Sequence, residues 1–226
     1  VYAGEGKGLE AINDAFYILH QQSGTSWKVE RKTPRNVGGA DGMVKGGDGY
    51  VYCYSHQAND GIGYTTDLFM RRFSENNPLA DWTFWNVQTC ALPISKKKSI
   101  ATSKATTSVV KVGDKYLMMS MDMGFWCTEE RNIYLSWSTS PVKPFSEKIK
   151  VYEIEENING GKARFYTPII HPWCVNEQNE VLLTYSLNFS ACDQQDYFFD
   201  ENGNKAMNAY YYRLKAIRVP MSVIGL

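Results

Sequence analysis

The carboxyl and imidazole side chains of this chain could support proton-transfer chemistry. Glu129 and Glu130 are adjacent, and neighbouring carboxylates raise the pKa of one another, which would suit a proton donor. A solvated loop is the alternative interpretation of this pair. His171 is a lone histidine that could tune an acid or donate a hydrogen bond to a ligand, and its alternative role is a hydrogen-bonded residue of the core.

A second group of oxygen-bearing side chains could bind a cation. Asp193, Asp196, Asp200, Glu201 and Asn202 lie close together, but the spacing and the glycine of an EF-hand loop are missing. An insertion loop is the favoured interpretation, calcium is an unsupported alternative, and no cofactor is predicted. The five cysteines form no CxxC pair and no zinc-type cluster, and their odd number argues against a complete disulfide framework.

The charge balance excludes some classes of partner. Lys plus Arg and Asp plus Glu both number 24, so the net charge is zero, and the only strongly basic run is residues 96–98. A nucleic-acid-binding protein usually has a basic face, so no nucleic acid is expected as a partner. No stretch approaches the roughly 20 apolar residues that cross a bilayer, so no membrane span is predicted.

Strands must position these side chains, because helical periodicity is almost absent and only residues 8–15 could form a helical turn. Polar turns followed by apolar, β-favouring runs recur at residues 47–55, 113–120 and 179–186, at an interval of about 65 residues. One strand precedes each turn and another follows the run, and a fourth, aromatic strand ends the first two repeats. Four antiparallel strands per repeat predict an all-β propeller.

The repeat boundaries predict a single incomplete propeller domain over residues 1–226. Residues 37–86, 96–154 and 160–226 are the predicted blades, and residues 1–36 are interpreted as the remnant of an earlier blade. A propeller has to close to remove its sheet edges. We therefore expect the chain to be a fragment, with at least one further blade encoded by the native gene.

Residues 87–95 (VQTCALPIS) fit nothing around them. They are the translation of GTTCAGACGTGTGCTCTTCCGATCT, part of a common short-read sequencing adapter. The hypothesis is adapter read-through in assembled environmental DNA, in which case Cys90 is not native and residues are missing at the join. An ordinary loop is the alternative.

The repeats resemble five-bladed propellers of the glycoside-hydrolase type, the arabinanase, xylosidase and levansucrase superfamily, and are most similar to uncharacterised bacterial domains related to them. The resemblance spans most of residues 37–226. The residues that carry it are GDGYVY at 47–52, DWTFW at 81–85, STSP at 138–141 with Pro144 and Phe145, His171 and Pro172, LLTYSLN at 182–188, and RVP at 218–220.

The resemblance implies acids on the first strand of successive blades, because glycoside hydrolysis needs two carboxyl groups. Asp41, just before the 47–55 hairpin, fits the place of a catalytic or pKa-modulating acid, and a turn residue is the alternative. Residues 105–110 depart from the pattern, with Thr or Ser where the enzymes carry a proton-donating Glu. Either the nearby join has damaged the alignment or the acid comes from elsewhere, with Glu130 as the candidate.

The same resemblance suggests substrate contacts in the channel. They are His171, Trp173, Trp126 and Asp122, with core packing as the alternative role of both tryptophans. The abundance of aromatic residues also has two interpretations. Such residues favour strands, and their flat faces can stack on sugar rings.

Two functions follow. The first is a glycoside hydrolase acting on a glycan in the central propeller channel. The alternative is a non-catalytic carbohydrate-binding or scaffolding propeller. For both we expect a glycan as partner, a monomer, and a secreted or periplasmic protein whose signal peptide is not visible in this sequence.

The adapter hypothesis is directly testable. Amplification of the gene from the source DNA is expected to give a product without the codons for residues 87–95. Finding these codons in the amplified gene would identify the segment as native.

Overall fold

The computed structural model describes residues 2–7, 10–32, 37–38, 41–58, 65–84, 99–103, 106–158, 161–192, 197–207 and 211–225. In these ranges the regular structure is β-strand, apart from short 3₁₀ turns such as the one at Met221–Ile224. The all-β class predicted from the sequence is therefore confirmed. The chain divides into two compact units, Val1–Gln57 with Leu68–Ala101, and Ala58–Asp67 with Thr102–Leu226. The suspected adapter segment lies outside the described residues.

The first sheet is an antiparallel meander of β1 (Tyr2–Lys7), β2 (Glu10–Ser23) and β3 (Ser26–Lys32). The expectation of a helical turn near residues 8–15 was wrong, because from Glu10 onward this segment belongs to β2, where it pairs with β1. Pairing with a neighbouring strand overrides a weak local preference for helix.

The second sheet has the sequential order β4 (Gly42–Lys45), β5 (Tyr50–Ala58), β6 (Thr66–Ser74) and β7 (Thr83–Phe84), and β8 (Ala101–Ser103) pairs with β6. The β4–β5 turn contains Gly47 and Gly49, both at φ 85°, a conformation that residues with a Cβ rarely adopt. Behind this sheet, Phe73 and Trp82 stack with ring centroids 4.6 Å apart, and Phe16 meets the Trp82 ring edge-on at 5.1 Å.

The second unit contains two larger sheets. One has the order β9 (Thr107–Val112), β10 (Lys115–Met121), β11 (Asn132–Ser138) and β12 (Ile149–Glu153). The other has the order β13 (Asn157–Ile158), β14 (Gly161–His171), β15 (Glu180–Ser190) and β18 (Leu214–Pro220). The hairpin of β16 (Tyr197–Phe199) and β17 (Lys205–Met207) lies between β15 and β18 along the chain.

The β4–β7 and β9–β12 sheets have the sequential four-strand order predicted for the repeat, whereas in the β13–β14–β15–β18 sheet the fourth strand, β13, comes before β14 and not at the end of the repeat. Alternating apolar residues of the two sheets of the second unit form one continuous core. Burying each large side chain of this kind stabilises the fold by about 1.5–3 kcal/mol. Its fully buried members include Leu117, Met119, Ile133, Leu135, Phe165, Ile170, Val181, Leu183 and Tyr185.

A buried cation crosses this core. The Arg131 guanidinium donates from Nε to the Ile154 carbonyl (2.9 Å) and from Nη2 to the Ala163 carbonyl (2.6 Å), and it lies over the Phe165 ring. Burial lowers the pKa of Arg131 from its ordinary value. This side chain therefore ties the chain at the end of β12 to β14 through backbone carbonyls.

A disulfide joins Cys127 to Cys192, which are 65 residues apart in the sequence. Cys127 follows β10 and Cys192 follows β15, the strands formed by the 113–120 and 179–186 runs, so the bond connects corresponding loops of successive repeats. Cys53 and Cys174 are free thiols, and burial raises the pKa of the Cys53 thiol to about 12. Cys90 lies outside the described residues.

Removing this bond should destabilise the protein measurably. Cys192→Ser is expected to lower the free energy of unfolding by about 2–4 kcal/mol, because the open chain regains the entropy of a long loop. Urea unfolding of the variant and of a Cys174→Ser control, in which the disulfide is intact, measures the difference. Alkylation of both Cys127 and Cys192 in the unreduced protein would contradict the assignment.

Candidate functional site

Asp41 lies directly before β4 and is held in place by the neighbouring strand β5. Its backbone N–H donates to the Tyr54 carbonyl (3.1 Å), and its Oδ2 accepts the backbone N–H of His56 (2.7 Å). The imidazole Nδ1 of His56 lies 2.8 Å from Oδ1 and 2.9 Å from Oδ2. The Asp41 side chain is only 2% exposed, so both carboxylate oxygens are taken up by His56.

His56, near the end of β5, is the more accessible member of this pair. Its side chain is 28% exposed, and with Nδ1 bonded to Asp41 the other ring nitrogen, Nε2, is the one left for a ligand. The hydrogen bond to Asp41 raises the pKa of His56 above its ordinary value of 6.5, and burial opposes the rise. The pair can therefore hold, donate or accept a proton at Nε2.

Sequence reasoning selected Asp41 but missed His56. The signal was present in the hairpin register: Gly42 pairs with Tyr54, which brings the residues on either side of that pair together across the strands. Counting the hairpin from its Gly-rich turn would have placed Asp41 beside residues 55 and 56.

The register also identifies the positions equivalent to Asp41 in the other two repeats. Lys45, Val110 and His171 are the strand partners of corresponding residues. Following each ladder back from them, and allowing for the bulge between Tyr166 and Ile169, gives Asp41, Thr106 and Tyr166 as the equivalent positions. We call the side of each sheet away from the turns that join β4 to β5, β9 to β10 and β14 to β15 the open end. The residue expected to be an acid in the second repeat is therefore a threonine, as the sequence indicated.

His171 lies at the opposite, turn end of its strand. Its Nε2 is 2.9 Å from Thr184 Oγ1, and its ring meets the Trp173 ring edge-on with centroids 5.9 Å apart. Four residues of strand, roughly 13 Å, separate it from Thr167 at the open end. Trp173 is 78% exposed. Within their own sheet, His171 and Trp173 thus form a group separate from the open end.

Asp122 follows β10 at the open end, at the position that corresponds to His56 in the first repeat. It is buried and exchanges two hydrogen bonds with Asn132: its N–H donates to the Asn132 carbonyl (3.0 Å), and its Oδ2 accepts the Asn132 N–H (2.7 Å). The Tyr134 hydroxyl is 3.5 Å from both carboxylate oxygens. Asp122 therefore fixes the start of β11.

The loop after Asp122 presents an aromatic side chain. Glu129 Oε2 accepts the backbone N–H groups of Phe125 and Trp126, both at 3.0 Å, and Cys127 anchors the loop through its disulfide. Trp126 is 54% exposed and Glu130 is exposed. The structure thus uses Glu129 to shape the loop and leaves Trp126 and Glu130 accessible.

The acidic loop of the sequence is described only in part, because Asp193 and Asp196 lie outside the described residues. Asp200 caps the β16–β17 turn, accepting the backbone N–H groups of Asn202 (2.9 Å) and Asn204 (2.8 Å), which lowers the pKa of its carboxyl. Among the residues with described positions, no three His, Cys, Asp or Glu side chains come together as a metal site would require.

A groove of about 390 Å³ lies at the turn end of the β4–β5 sheet. Its walls are mainly apolar, and the Lys45–Glu75 ion pair (3.2 Å) lies at its edge. The groove does not include Asp41 or His56. The residues that line it are Phe16, Tyr17, Ile18, Leu19, Lys45, Val51, Phe73, Glu75 and Pro78.

The Asp41–His56 pair predicts a pH-dependent contribution to stability. Because the pKa of His56 is raised in the folded state, this contribution is complete below about pH 6.5 and is lost as the pH rises through the folded pKa. Asp41→Asn should lower the His56 pKa, so the excess thermal stability of the wild type should shrink as the pH rises.

NMR titration of the imidazole resonances measures the His56 pKa directly, and thermal melts between about pH 5 and pH 9 measure the stability difference. Single His20→Gln and His171→Gln variants assign the three histidine signals. An unchanged His56 titration in Asp41→Asn would contradict the coupling.

No helix in the described part of the chain is long and apolar enough to cross a membrane.

The family of the chain follows from comparison with known proteins. A family model described as Domain of unknown function (DUF5005) matches residues 8–220, and no curated protein gives a match.

Three solved structures are similar. A candidate hydrolase from Bacteroides ovatus aligns with a TM-score of 0.60 at 22% identity, over 91% of this chain and 52% of that chain. A xylan β-1,4-xylosidase from Bacillus halodurans aligns with a TM-score of 0.34 at 12% identity, over 91% and 52%. A GH43 protein from Bacillus licheniformis gives 0.34 at 11%, over 97% and 54%.

The Bacteroides protein shares the fold of this chain, and the chain spans about half the length of each of these three proteins. The family match extends over nearly the whole chain, across both compact units. This protein therefore belongs to the DUF5005 family.

Proposed function

We propose that this chain is part of a carbohydrate-active hydrolase that binds a glycan at the open end of the β4–β5 hairpin. The observation that carries the proposal is the Asp41–His56 pair, a buried carboxylate bonded to a partly exposed imidazole. The sequence resemblance to glycoside-hydrolase propellers and the fold shared with a candidate hydrolase support it. Perturbed acid–base pairs of this kind are typical of functional sites.

In this proposal His56 exchanges a proton with the substrate or with water through Nε2, and Asp41 is a positioning residue. Asp41 fixes the ring orientation and favours the protonated imidazole, which suits a general acid. Glu130, exposed on the loop after Asp122, is the proposed second acid. Trp126 and Trp173 are exposed and remain proposed stacking contacts, and Asp122 and His171 remain proposed substrate contacts. Because His171 and Trp173 lie at the turn end of their sheet, they would contact a different part of the glycan from the part bound at the open end.

A second candidate function is glycan binding without hydrolysis. The observation that favours it is that Thr106 and Tyr166, not acids, occupy the positions equivalent to Asp41 in the other two repeats. Hydrolysis of glycosides generally uses two carboxyl groups. A site with hydroxyl groups at these positions can bind a glycan without cleaving it.

We also propose that the sheets are blades of a five-bladed propeller that acts as a monomer. The repeated four-strand order supports this architecture. The Cys127–Cys192 bond supports a secreted or periplasmic location, because disulfides persist in oxidising compartments.

The hydrolase proposal predicts a specific kinetic pattern. The purified full-length protein, screened against plant and microbial glycans, should release reducing sugar, and His56→Ala should lower kcat/KM by about 10²–10⁴-fold. Asp41→Asn should cause a smaller loss and move the His56 limb of the pH–rate profile to lower pH, because the His56 pKa falls.

His20→Ala is the matched control, since this exposed histidine is paired with Glu30 in a different sheet. Cleavage at the wild-type rate by His56→Ala would refute the assignment. A wild-type protein that binds a glycan but releases no sugar would refute hydrolysis and establish the second candidate.

A further inference from the structure

A partly exposed group of rings and hydroxyls lies at the open end of the β14–β15–β18 sheet. It consists of Tyr166, Thr167, Ser186, Phe189 and Tyr212, and we call it the tyrosine patch. The Phe189 and Tyr212 rings are 6.0 Å apart at 33°, and the Tyr166 and Tyr212 rings are 6.3 Å apart at 49°. The Tyr166 hydroxyl donates to the Tyr212 hydroxyl, and Thr167 Oγ1 donates to Ser186 Oγ (3.1 Å).

Two residues of the patch are held in unfavourable backbone conformations. Thr167 has φ 52° and Phe189 has φ 48°, and only one other non-glycine residue in the described part of the chain, Asn179, has positive φ. For a β-branched residue such as Thr167 this conformation is a true outlier. Strain of this kind persists where the surrounding structure imposes it, and it is concentrated at binding sites.

The strain coincides with two interruptions of the strand ladder. The β14–β15 register shifts between Tyr166 and Ile169, at Thr167, and again between Ala163 and Arg164, opposite Phe189. Bulges of this type redirect side chains relative to a regular strand. The two bulges therefore place the Thr167 hydroxyl and the Phe189 ring on either side of Tyr166 and Ser186.

We propose that the tyrosine patch is a glycan-binding subsite that takes one pyranose ring. The C–H face of a sugar ring would lie on the Phe189 and Tyr212 rings, whose faces carry negative partial charge. The Tyr166, Tyr212 and Thr167 hydroxyls would exchange hydrogen bonds with the sugar hydroxyls. The proposal shares the ligand class of the proposed function but does not depend on hydrolysis.

The chemistry of the patch favours this ligand over others. Its five side chains carry no charge, and burial and the Tyr212 hydroxyl raise the pKa of Tyr166 to about 12, so the phenol stays a neutral donor near neutral pH. A polyanion such as a nucleic acid would require a basic surface. Two arginines are close to the patch along the backbone: Arg164 pairs with Asn188, two residue pairs from Tyr166–Ser186, and Arg213 follows Tyr212. Acidic sugars are therefore included among the probes.

The position of the patch within its repeat supports a binding role. Tyr166, the strand partner of Ser186, occupies in its own sheet the place that Asp41 occupies beside His56 in the first repeat, and the bulge residue Thr167 follows it. Equivalent positions of the repeat thus carry an acid–base pair in one sheet and an uncharged aromatic surface in another. Tyr212 is 54% exposed, so its ring is accessible to a ligand.

Affinity electrophoresis of the full-length protein in gels containing xylan, arabinan, β-glucan or polygalacturonic acid tests the proposal. At least one glycan should retard the wild type. Tyr212→Ala should raise the apparent Kd about tenfold, equivalent to about 1.4 kcal/mol. Tyr212→Phe should retain most of the affinity because it keeps the ring. The Trp27→Ala variant removes an equally exposed aromatic residue on β3, and it should bind glycans as the wild type does.

Thr167→Gly separates binding from folding. Glycine adopts positive φ without strain, so the variant should melt at the same or a higher temperature than the wild type, while loss of the hydroxyl weakens glycan binding. If Thr167 has only a structural role, the Thr167→Gly variant should bind glycans with the affinity of the wild type.

Three results would overturn the proposal: no retardation of the wild type by any of the four glycans, wild-type binding by Tyr212→Ala, or a change of oligomeric state in Tyr212→Ala with binding unchanged. The last result would identify the patch as a contact between copies of the chain. Retardation without release of reducing sugar would leave the subsite intact while refuting hydrolysis.

Discussion

The pairing registers of β4 with β5 and of β14 with β15 determine where the candidate functional residues lie. In β4–β5 the register brings Asp41 against His56, and in β14–β15 it pairs Tyr166 with Ser186, to which the bulge residue Thr167 donates a hydrogen bond. A slip of one residue would turn every side chain of a strand to the opposite face. Because alternate residues of these strands also form the core, the register that buries apolar side chains is the same one that assembles the polar pairs.

The core enforces that register in two ways. Apolar side chains such as Leu183 and Phe165 are fully buried, so a slipped strand would expose them. Arg131 adds a polar requirement, because its guanidinium is buried and bonded to the carbonyls of Ile154 and Ala163. A buried cation that loses such partners is strongly destabilising. The apolar and the polar contacts thus select the same arrangement of the two sheets.

Much of the fold could be predicted from the sequence, because strands with strong alternation and glycine-rich turns identify themselves locally. The strands predicted before the 113–120 turn and after its apolar run are β9 and β11. β14 continues through Pro168, from Gly161 to His171, because Pro168, which has no backbone N–H, lies at a bulge where the ladder needs no donor. Only the first part of β2, which was expected to form a helical turn, was missed, because pairing with β1 decides its conformation.

The candidate site was predictable only in part. Asp41 was identified, but His56, the tyrosine patch and the Cys127–Cys192 bond depend on register, on bulges and on contacts between repeats. None of these can be read from a single strand. Local patterns identify strands and turns, whereas the chemistry depends on which residues of different strands meet.

The disulfide has a consequence for the origin of the protein. Cys127 and Cys192 occupy equivalent positions in successive repeats. Cys127 lies ten residues after Leu117, and Cys192 lies ten residues after Leu182, the residue that corresponds to Leu117. A cysteine at this position of a single ancestral unit would have no partner within that unit. Duplication of the unit would supply a second cysteine, separated from the first by the length of one repeat. A covalent link between neighbouring repeats could therefore arise through gene duplication alone, without a second mutation.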